Sequence, residues 1–354
     1  MNGSKSTHTY KLENLRVLQD HLAQKYALYQ IGRDTQGEAT WFSDVTPNQP
    51  ALYGQYHLPL VSPKGFLFAQ NEALYKFEGE TFTPVNPPNQ PRVLFGVQAC
   101  DLTAIAYQDT FFKDDPYYQA RRENTLLVGI DCSGPCDKGF CPLVNAGPQV
   151  ANNSADLILS EIHDGNQDTD ITSQWLLIAV SEKGKESVNG MSLKTSVDGT
   201  NIRNKNKEKA LRQFPDFSYI NNSIEYINDN LVPAKLWAEL SVRCLECSGC
   251  TNLCPTCSCF TTYQESNEST KVITTKRCWD SCQFDGFQRE ASGENASNLP
   301  AQRTERFWFH KFSDAYLPEF GRYGCVGCGR CEQTCPGTIG VHTVMTRINE
   351  KCCN

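Results

Sequence analysis

The chain has 354 residues, a formal net charge of −7, 39% hydrophobic and 21% charged residues. That length allows about two domains, and the balance is that of a globular protein able to bury a core. The acidic surplus weighs against nucleic acid or an anionic membrane surface as the main partner, and the longest apolar stretches, such as Trp175 to Val180, are too short to span a bilayer.

Met1 to His8 is polar, reads as a frayed terminus, and is followed by no apolar run, so a secretion leader is not expected and a cytoplasmic location is. From Tyr10, apolar residues at Leu12, Leu15, Leu18, Leu22 and Tyr26 recur at steps of three and four, which predicts an amphipathic helix. Short strand-like runs follow, among them Tyr26 to Ile31 and Gly65 to Phe68, separated by turns carrying Pro and Gly. Arg92 to Val97 reads as a buried strand leading through Cys100-Asp101 into the helical pattern Leu102, Ile105, Ala106, Asp109. Thr125 to Ile130 reads as a second buried strand, ending at Asp131-Cys132. Strand, helix, strand with apolar strands predicts a small parallel α/β unit, and ligands gather at the C-terminal strand ends of such units.

Cys100 and Cys132 both sit at such ends, and Cys136 and Cys141 follow closely, so four thiols come to one sheet edge. They read either as buried reduced thiols or as a third metal site, an iron–sulfur cluster or a zinc. Asp101 reads as a helix cap rather than a ligand. Asp156 to Leu159 and Trp175 to Val180 are further strand candidates. Residues 181–210 are polar, rich in Gly, Asn, Ser and Lys and free of aromatics, which predicts a surface loop or linker. The domain boundaries that follow are an N-terminal α/β domain over 1–180, the linker over 181–210, and a second domain over 211–354.

Fourteen of the eighteen cysteines lie in that second domain. In a chain without a secretion leader they are poor disulfide candidates and good metal ligands. Ile224 to Ser241 predicts two short helices around Pro233, the second leading to Cys244; Asn252 to Tyr263 and Thr338 to Asn349 each fit a helix. Two runs dominate: Cys244-x-x-Cys247-x-x-Cys250-x-x-x-Cys254-Pro255 and Cys325-x-x-Cys328-x-x-Cys331-x-x-x-Cys335-Pro336. Each has the spacing that holds a [4Fe–4S] cube in bacterial ferredoxins. Two residues between cysteines let a short turn aim three sulfurs at one cube; the fourth cysteine, too far round, ligates the other cube in two-cluster ferredoxins. The expected ligand sets are therefore Cys244, Cys247, Cys250 and Cys335 for one cube, and Cys325, Cys328, Cys331 and Cys254 for the other. Zinc sites pair C-x-x-C units instead of setting three cysteines and a Cys-Pro in series.

The stretch between the runs, 257–324, is a long insertion in this otherwise mainly helical ferredoxin domain. Cys257, Cys259, Cys278 and Cys282 within it read as a further metal site, a redox pair, or thiols tuning the cubes. Residues 283–304 read as loop. Arg303, Arg306, His310 and Lys311 then interleave with Phe307, Trp308, Phe309 and Phe312. Cations there would raise cluster potentials and the aromatics would exclude water; the plain alternative is an ordinary amphipathic segment. Cys352 and Cys353 are expected to be free thiols. The fold class expected overall is α+β.

Several stretches together resemble one family, that of the beta subunits of cytoplasmic sulfhydrogenases and the A subunit of anaerobic sulfite reductase. They are Gly96-Val-Gln-Ala-Cys-Asp101, Asp115-Pro-Tyr-Tyr118 with Arg121-Arg122, Phe140-Cys141, Cys254-Pro-Thr-Cys257 with Cys259-Phe260, Trp279-Asp-Ser-Cys282, His310-Lys-Phe312 and Cys325-Val-Gly-Cys-Gly-Arg-Cys331. The resemblance implies a non-membrane electron-transfer subunit with two [4Fe–4S] clusters, working beside a flavin-binding NAD(P)H-oxidoreductase subunit and a terminal catalytic subunit of hydrogenase or sulfite reductase type. This sequence departs from the family's usual Cys-Phe-Cys, having Gly139 before Phe140 and its extra thiol upstream at Cys136. No Gly-rich dinucleotide fingerprint, P-loop or catalytic triad pattern points to a substrate site of the chain's own. Two other readings stand beside the relay: a self-contained flavin or thiol-substrate reductase built around Cys100 and Cys132 to Cys141, and a non-enzymatic iron–sulfur sensor module.

Overall fold

The computed structural model describes residues 8–34, 36, 38–43, 58–162 and 174–352; the expectations for residues 1–7 and for Cys353 lie outside them. Along the chain the strands are β1 (His8–Leu12), β2 (Ala27–Arg33), β3 (Ala39–Ser43), β4 (Asn71–Glu78), β5 (Thr81–Pro84), β6 (Arg92–Gln98), β7 (Thr125–Ile130), β8 (Leu157–Ile162), β9 (Gln174–Ala179), β10 (Lys194–Thr195), β11 (Phe260–Ser266) and β12 (Ile273–Trp279). The helices are α1 (Leu15–Ala23), α2 (Lys64–Leu67), α3 (Ala99–Phe111), α4 (Pro116–Glu123), α5 (Glu182–Ser187), α6 (Gly199–Leu211), α7 (Ser218–Asn228), α8 (Ala234–Ser241), α9 (Gly249–Asn252), α10 (Pro300–Phe312), α11 (Leu317–Phe320), α12 (Arg330–Thr334) and α13 (Val341–Cys352). The class is α+β. The chain forms two compact units, each assembled from separate stretches: Met1–Val61, Asn89–Ala106 and Arg122–Pro215 in one, Ser62–Pro88, Tyr107–Arg121 and Asp216–Asn354 in the other. A linear division at 180 and 211 differs from this, because residues 62–88 and 107–121 join the C-terminal unit.

The first unit is built on one mixed sheet in the order β10-β1-β9-β8-β7-β6-β2-β3. Its centre, β2, β6, β7 and β8, is parallel. β6 carries Val93 to Val97 and β7 carries Leu126 to Ile130 as unbroken apolar, buried runs, as parallel strands covered on both faces must. Alternate residues separate by face: Val93, Phe95, Leu126, Val128, Leu157, Leu159 and Leu177 join Leu15, Leu18 and Leu22 of α1 in one core. At Gly129 an added Cβ would meet Leu102 of α3 at 2.6 Å, so glycine there permits α3 to lie against β7.

Three sequence expectations change in this unit. The helical pattern from Leu12 breaks at Asn14, whose side chain caps α1 by accepting from the Arg16 N–H at 2.7 Å, and Leu12 itself closes β1. The 181–210 stretch is not a loop: it holds α5, β10 and most of α6. Ser181 caps α5, and β10 pairs with β1. Arg203 of α6 is buried against Asp131 at 2.7 Å, a contact between residues 72 apart that polar composition cannot reveal. Asp101 lies inside the first turn of α3, buried, and not at a capping position.

In the second unit a four-stranded antiparallel sheet, β11-β12-β4-β5, stands beside the helices. Here Gly65 to Phe68 is helical, forming α2 and its cap, instead of a strand. The expected helix over Asn252 to Tyr263 stops at Asn252 and gives way to β11, where Phe260, Thr261, Thr262 and Tyr263 suit a hairpin strand better than a helix. Pro233 does separate two helices, α7 and α8, as anticipated, and α13 follows the second Cys-Pro. β12 is fastened by a buried charge network. Glu72 of β4 faces Arg277 and Arg121, each at 2.6 Å, and Arg277 also meets Asp115. Truncating Glu72 would leave two buried guanidinium groups short of their shared carboxylate. Glu72→Ala is predicted to cost about 3–5 kcal/mol in chemical denaturation, whereas Lys76→Ala on the exposed side of the same strand should stay within about 0.5 kcal/mol.

Candidate metal centre

The two cysteine runs fold alike. In the first, Glu246 and Ser248 have φ of 52° and 61°; in the second, Gly327 and Gly329 at the same offsets from the leading cysteine have φ of 63° and 75°. These left-handed residues turn the chain so that backbone N–H groups face sulfur: Gly327 N–H donates to Cys325 Sγ at 3.3 Å, and the Glu246 backbone does the same for Cys244. A short helix then follows each loop, α9 in one and α12 in the other. Further N–H···S bonds reach Cys335 from Ile339 at 3.5 Å, Cys331 from Val341 and Cys254 from Thr256.

Each run's fourth cysteine has neighbours among the other run's cysteines. Cys335 lines one cavity together with Cys244, Cys247, Cys250 and Cys331, walled by Phe307, Trp308 and Ile339. Cys254 acts electrostatically on Cys325 and Cys331, which also act on each other with Cys328, and on Cys250 of its own run. Burial, followed by the neighbouring thiols, pushes Cys250 up to about 12, and burial with Cys328 and Cys254 pushes Cys325 up to about 12. Cys250 and Cys325 thus resist ionising unless a cation shares their surroundings. A metal core bound by four thiolates supplies that charge, and the all-sulfur donor set fits a [4Fe–4S] cube. Among the described residues no three His, Cys, Asp or Glu side chains are grouped to hold a single metal ion.

The remaining cysteines sort differently. The Cys257 thiol hydrogen-bonds Cys254 and, with Lys311, holds Cys254 well below its ordinary value despite burial. Cys259 is paired with Cys282, whose hydrogen bonds bring it down to about 6 against the effect of burial. Cys278 is not with them: it faces Thr261 across the β11–β12 ladder, and burial, then Asp280, raises its thiol. In the first unit, Cys132, Cys136 and Cys141 gather beside the start of α3. Burial first, then Cys136 and Cys141, raises Cys132 well above its ordinary value, while Ala99 at the head of α3 offers its backbone N–H to that thiol. Gly147 packs so closely that an added Cβ would lie 2.8 Å from Cys141 Sγ and 3.4 Å from Ala99 Cβ. Cys100, the next residue of α3, is buried there. Cys352 ends α13, its thiol directed to Leu231 O at 3.8 Å.

Polar residues that the sequence did not single out bind the second unit's thiols in place. Gln283 accepts from Cys244 Sγ at 3.8 Å and donates to Arg303 O at 3.1 Å. Thr251 Oγ1 donates to the fully buried Ser281 at 2.9 Å. Thr256 Oγ1 lies 3.2 Å from Cys254 Sγ and donates to Gly324 O at 2.7 Å. Lys64 of α2 donates to Thr251 O and Cys257 O, each at 3.2 Å, and sits 4.0 Å over the Trp279 ring. Its contacts lie about 190 residues away in sequence, and no local pattern marks them.

Comparison with known proteins agrees with this geometry. The model of a 4Fe–4S dicluster domain matches residues 243–339. Sulfhydrogenase 2 subunit beta of Pyrococcus furiosus is 30% identical over 301 residues, covering 83% of this chain and 85% of that protein. The chain belongs to the sulfhydrogenase beta-subunit family. No solved structure matches it. As in the resemblance noted from the motifs, the likeness to that beta subunit extends well beyond the dicluster domain. Among the described residues no helix is long and apolar enough to cross a membrane.

The left-handed positions give a direct check on the loops. A β-branched residue at φ near +75° costs about 1–3 kcal/mol, so Gly329→Val is predicted to lower bound iron, whereas Ser248→Gly, which relieves such a conformation, should retain it; iron analysis of the two purified variants decides.

Proposed function

We propose that this chain is the electron-transfer subunit of an oxidoreductase complex and holds two [4Fe–4S] clusters, one on Cys244, Cys247, Cys250 and Cys335, the other on Cys325, Cys328, Cys331 and Cys254. The observation that supports the reading is that Cys254 and Cys335 each have neighbours in the opposite run, Cys325 and Cys331 for the first, Cys244, Cys247 and Cys250 for the second. Crossing keeps two clusters close, as stepwise one-electron transfer requires. When bound, the clusters supply one-electron storage. The chain's own part is to fix the sulfurs, to keep water from them with Phe307 and Trp308, and to aim N–H donors at Cys325, Cys335 and Cys244.

In this reading the clusters relay electrons between a flavin-binding NAD(P)H-oxidoreductase subunit and a terminal catalytic subunit. The similarity to a sulfhydrogenase subunit favours a hydrogenase-type terminal partner over a sulfite-reductase type. The complex would work in the cytoplasm, without nucleic acid. Cys100, Cys132, Cys136 and Cys141 stand apart from the relay as a candidate third site.

Metal and acid-labile sulfide analysis of anaerobically purified protein tests the proposal. Two cubes predict about eight iron and eight sulfide per chain. Cys254→Ala and Cys335→Ala should each lower both by about half, each depleting the cube of the other run. About twelve iron would add the third site at Cys100, Cys132, Cys136 and Cys141. Zinc in place of iron would overturn the relay.

A further inference from the structure

Of the four cationic or titratable residues that the sequence places near the clusters on α10, the structure separates two by their partners. Arg303 is neutralised: its guanidinium meets Glu246 at 2.5 Å and Asp285 at 3.3 Å. Lys311 is different. It is buried, 6% exposed, and among the described residues no carboxylate pairs with it; its ammonium donates to Thr256 Oγ1 at 3.0 Å and Gly324 O at 3.1 Å. Thr256 Oγ1 is in turn 3.2 Å from Cys254 Sγ, and Gly324 precedes Cys325. Lys64 repeats the pattern. It is 5% exposed and likewise lacks a carboxylate partner among the described residues, and it donates to the backbone of Thr251 and Cys257.

Two unpaired buried ammonium groups are costly unless an anion compensates them. Both face Cys254 and Cys257; Lys311 also faces Cys325, and Lys64 also faces Cys259. A cube with four thiolate ligands is such an anion, and its negative charge grows on reduction. Arg322, which reaches Cys325 O at 3.5 Å, adds to the positive surroundings of the same group. The other thiol group has no lysine in its cavity wall, and its nearby Arg303 is already paired with carboxylates.

We infer that Lys311 and Lys64 are the counter-charges of the cube on Cys325, Cys328, Cys331 and Cys254, and that they set it at a higher reduction potential than the cube on Cys244, Cys247, Cys250 and Cys335. This rests on the two-cluster reading. It makes the second cube the site where an electron entering the pair resides. Both lysines are positioning residues: they act on the cluster's charge through Thr256 and the backbone, without accepting an electron or proton themselves.

The test is a potentiometric titration of the full-length protein, purified anaerobically and followed by electron paramagnetic resonance. In Lys311→Met the wave at higher potential should move to lower potential. The reduced-to-oxidised ratio of that cube at fixed poise should fall about tenfold, about 59 mV for one electron, with a smaller movement of the other wave. Lys64→Met should act in the same direction, and Lys311→Arg, which keeps the charge, should restore the wild-type wave. Loss of iron from Lys311→Met but not from Lys311→Arg also supports the counter-charge role. Unchanged waves in both methionine variants, movement of the lower wave instead, or equal loss of iron from Lys311→Met and Lys311→Arg would overturn the inference while leaving the two-cluster reading intact. A wild-type chain lacking two clusters by iron and sulfide analysis would overturn that reading itself.

Discussion

The constraint on which the second unit depends is one of reach. A Cys-x-x-Cys-x-x-Cys loop turned by two left-handed residues points three sulfurs to one place, and its fourth cysteine, set after a further three residues and before a proline, is carried away from them. Neither run can complete a four-thiol group alone. The proposed exchange of fourth cysteines would meet this, and the residues before 257 and those after 324 do come together across the insertion. The insertion is consequently built as support. The β11–β12 hairpin fastens to β4 through Glu72 and Arg277, and the residues after it deliver Ser281 and Gln283 to the first run and α10 to both.

Burial at these groups works in two directions. It drives the thiols toward their neutral form, as at Cys250 and Cys325, and it makes the ammonium groups of Lys64 and Lys311 costly. A thiolate-bound metal core resolves both conditions together, being cationic toward its ligands and anionic, as a whole, toward its surroundings. The uneven distribution of lysine between the two thiol groups is what gives them different electrostatic settings within one fold.

Much of this was legible in the sequence where the pattern is local. The cysteine spacing pointed to a dicluster domain, which the family model matches over residues 243–339. The unbroken apolar runs of β6 and β7 revealed a buried parallel sheet, because only strands covered on both faces read that way. Where a pattern depends on distant partners, reading failed. The 181–210 stretch looks like solvent-exposed linker, yet Arg203 is held by Asp131 and β10 by β1. Gly65 to Phe68 has strand-like residues, but Lys64 and its helix belong against Trp279 and the first cysteine run. Cys257, Cys259, Cys278 and Cys282 look alike in the sequence, but the hairpin register sets Cys278 opposite Thr261 while Cys259 pairs with Cys282.

The most direct test of the crossed grouping is the electron paramagnetic resonance spectrum of the fully reduced, anaerobically purified chain. Two cubes held as close as exchanged ligands demand must couple magnetically, so the spectrum should be a broadened interaction signal integrating to about two spins per chain, one per reduced cube. Two sharp, additive signals without coupling, or a single uncoupled one, would contradict it.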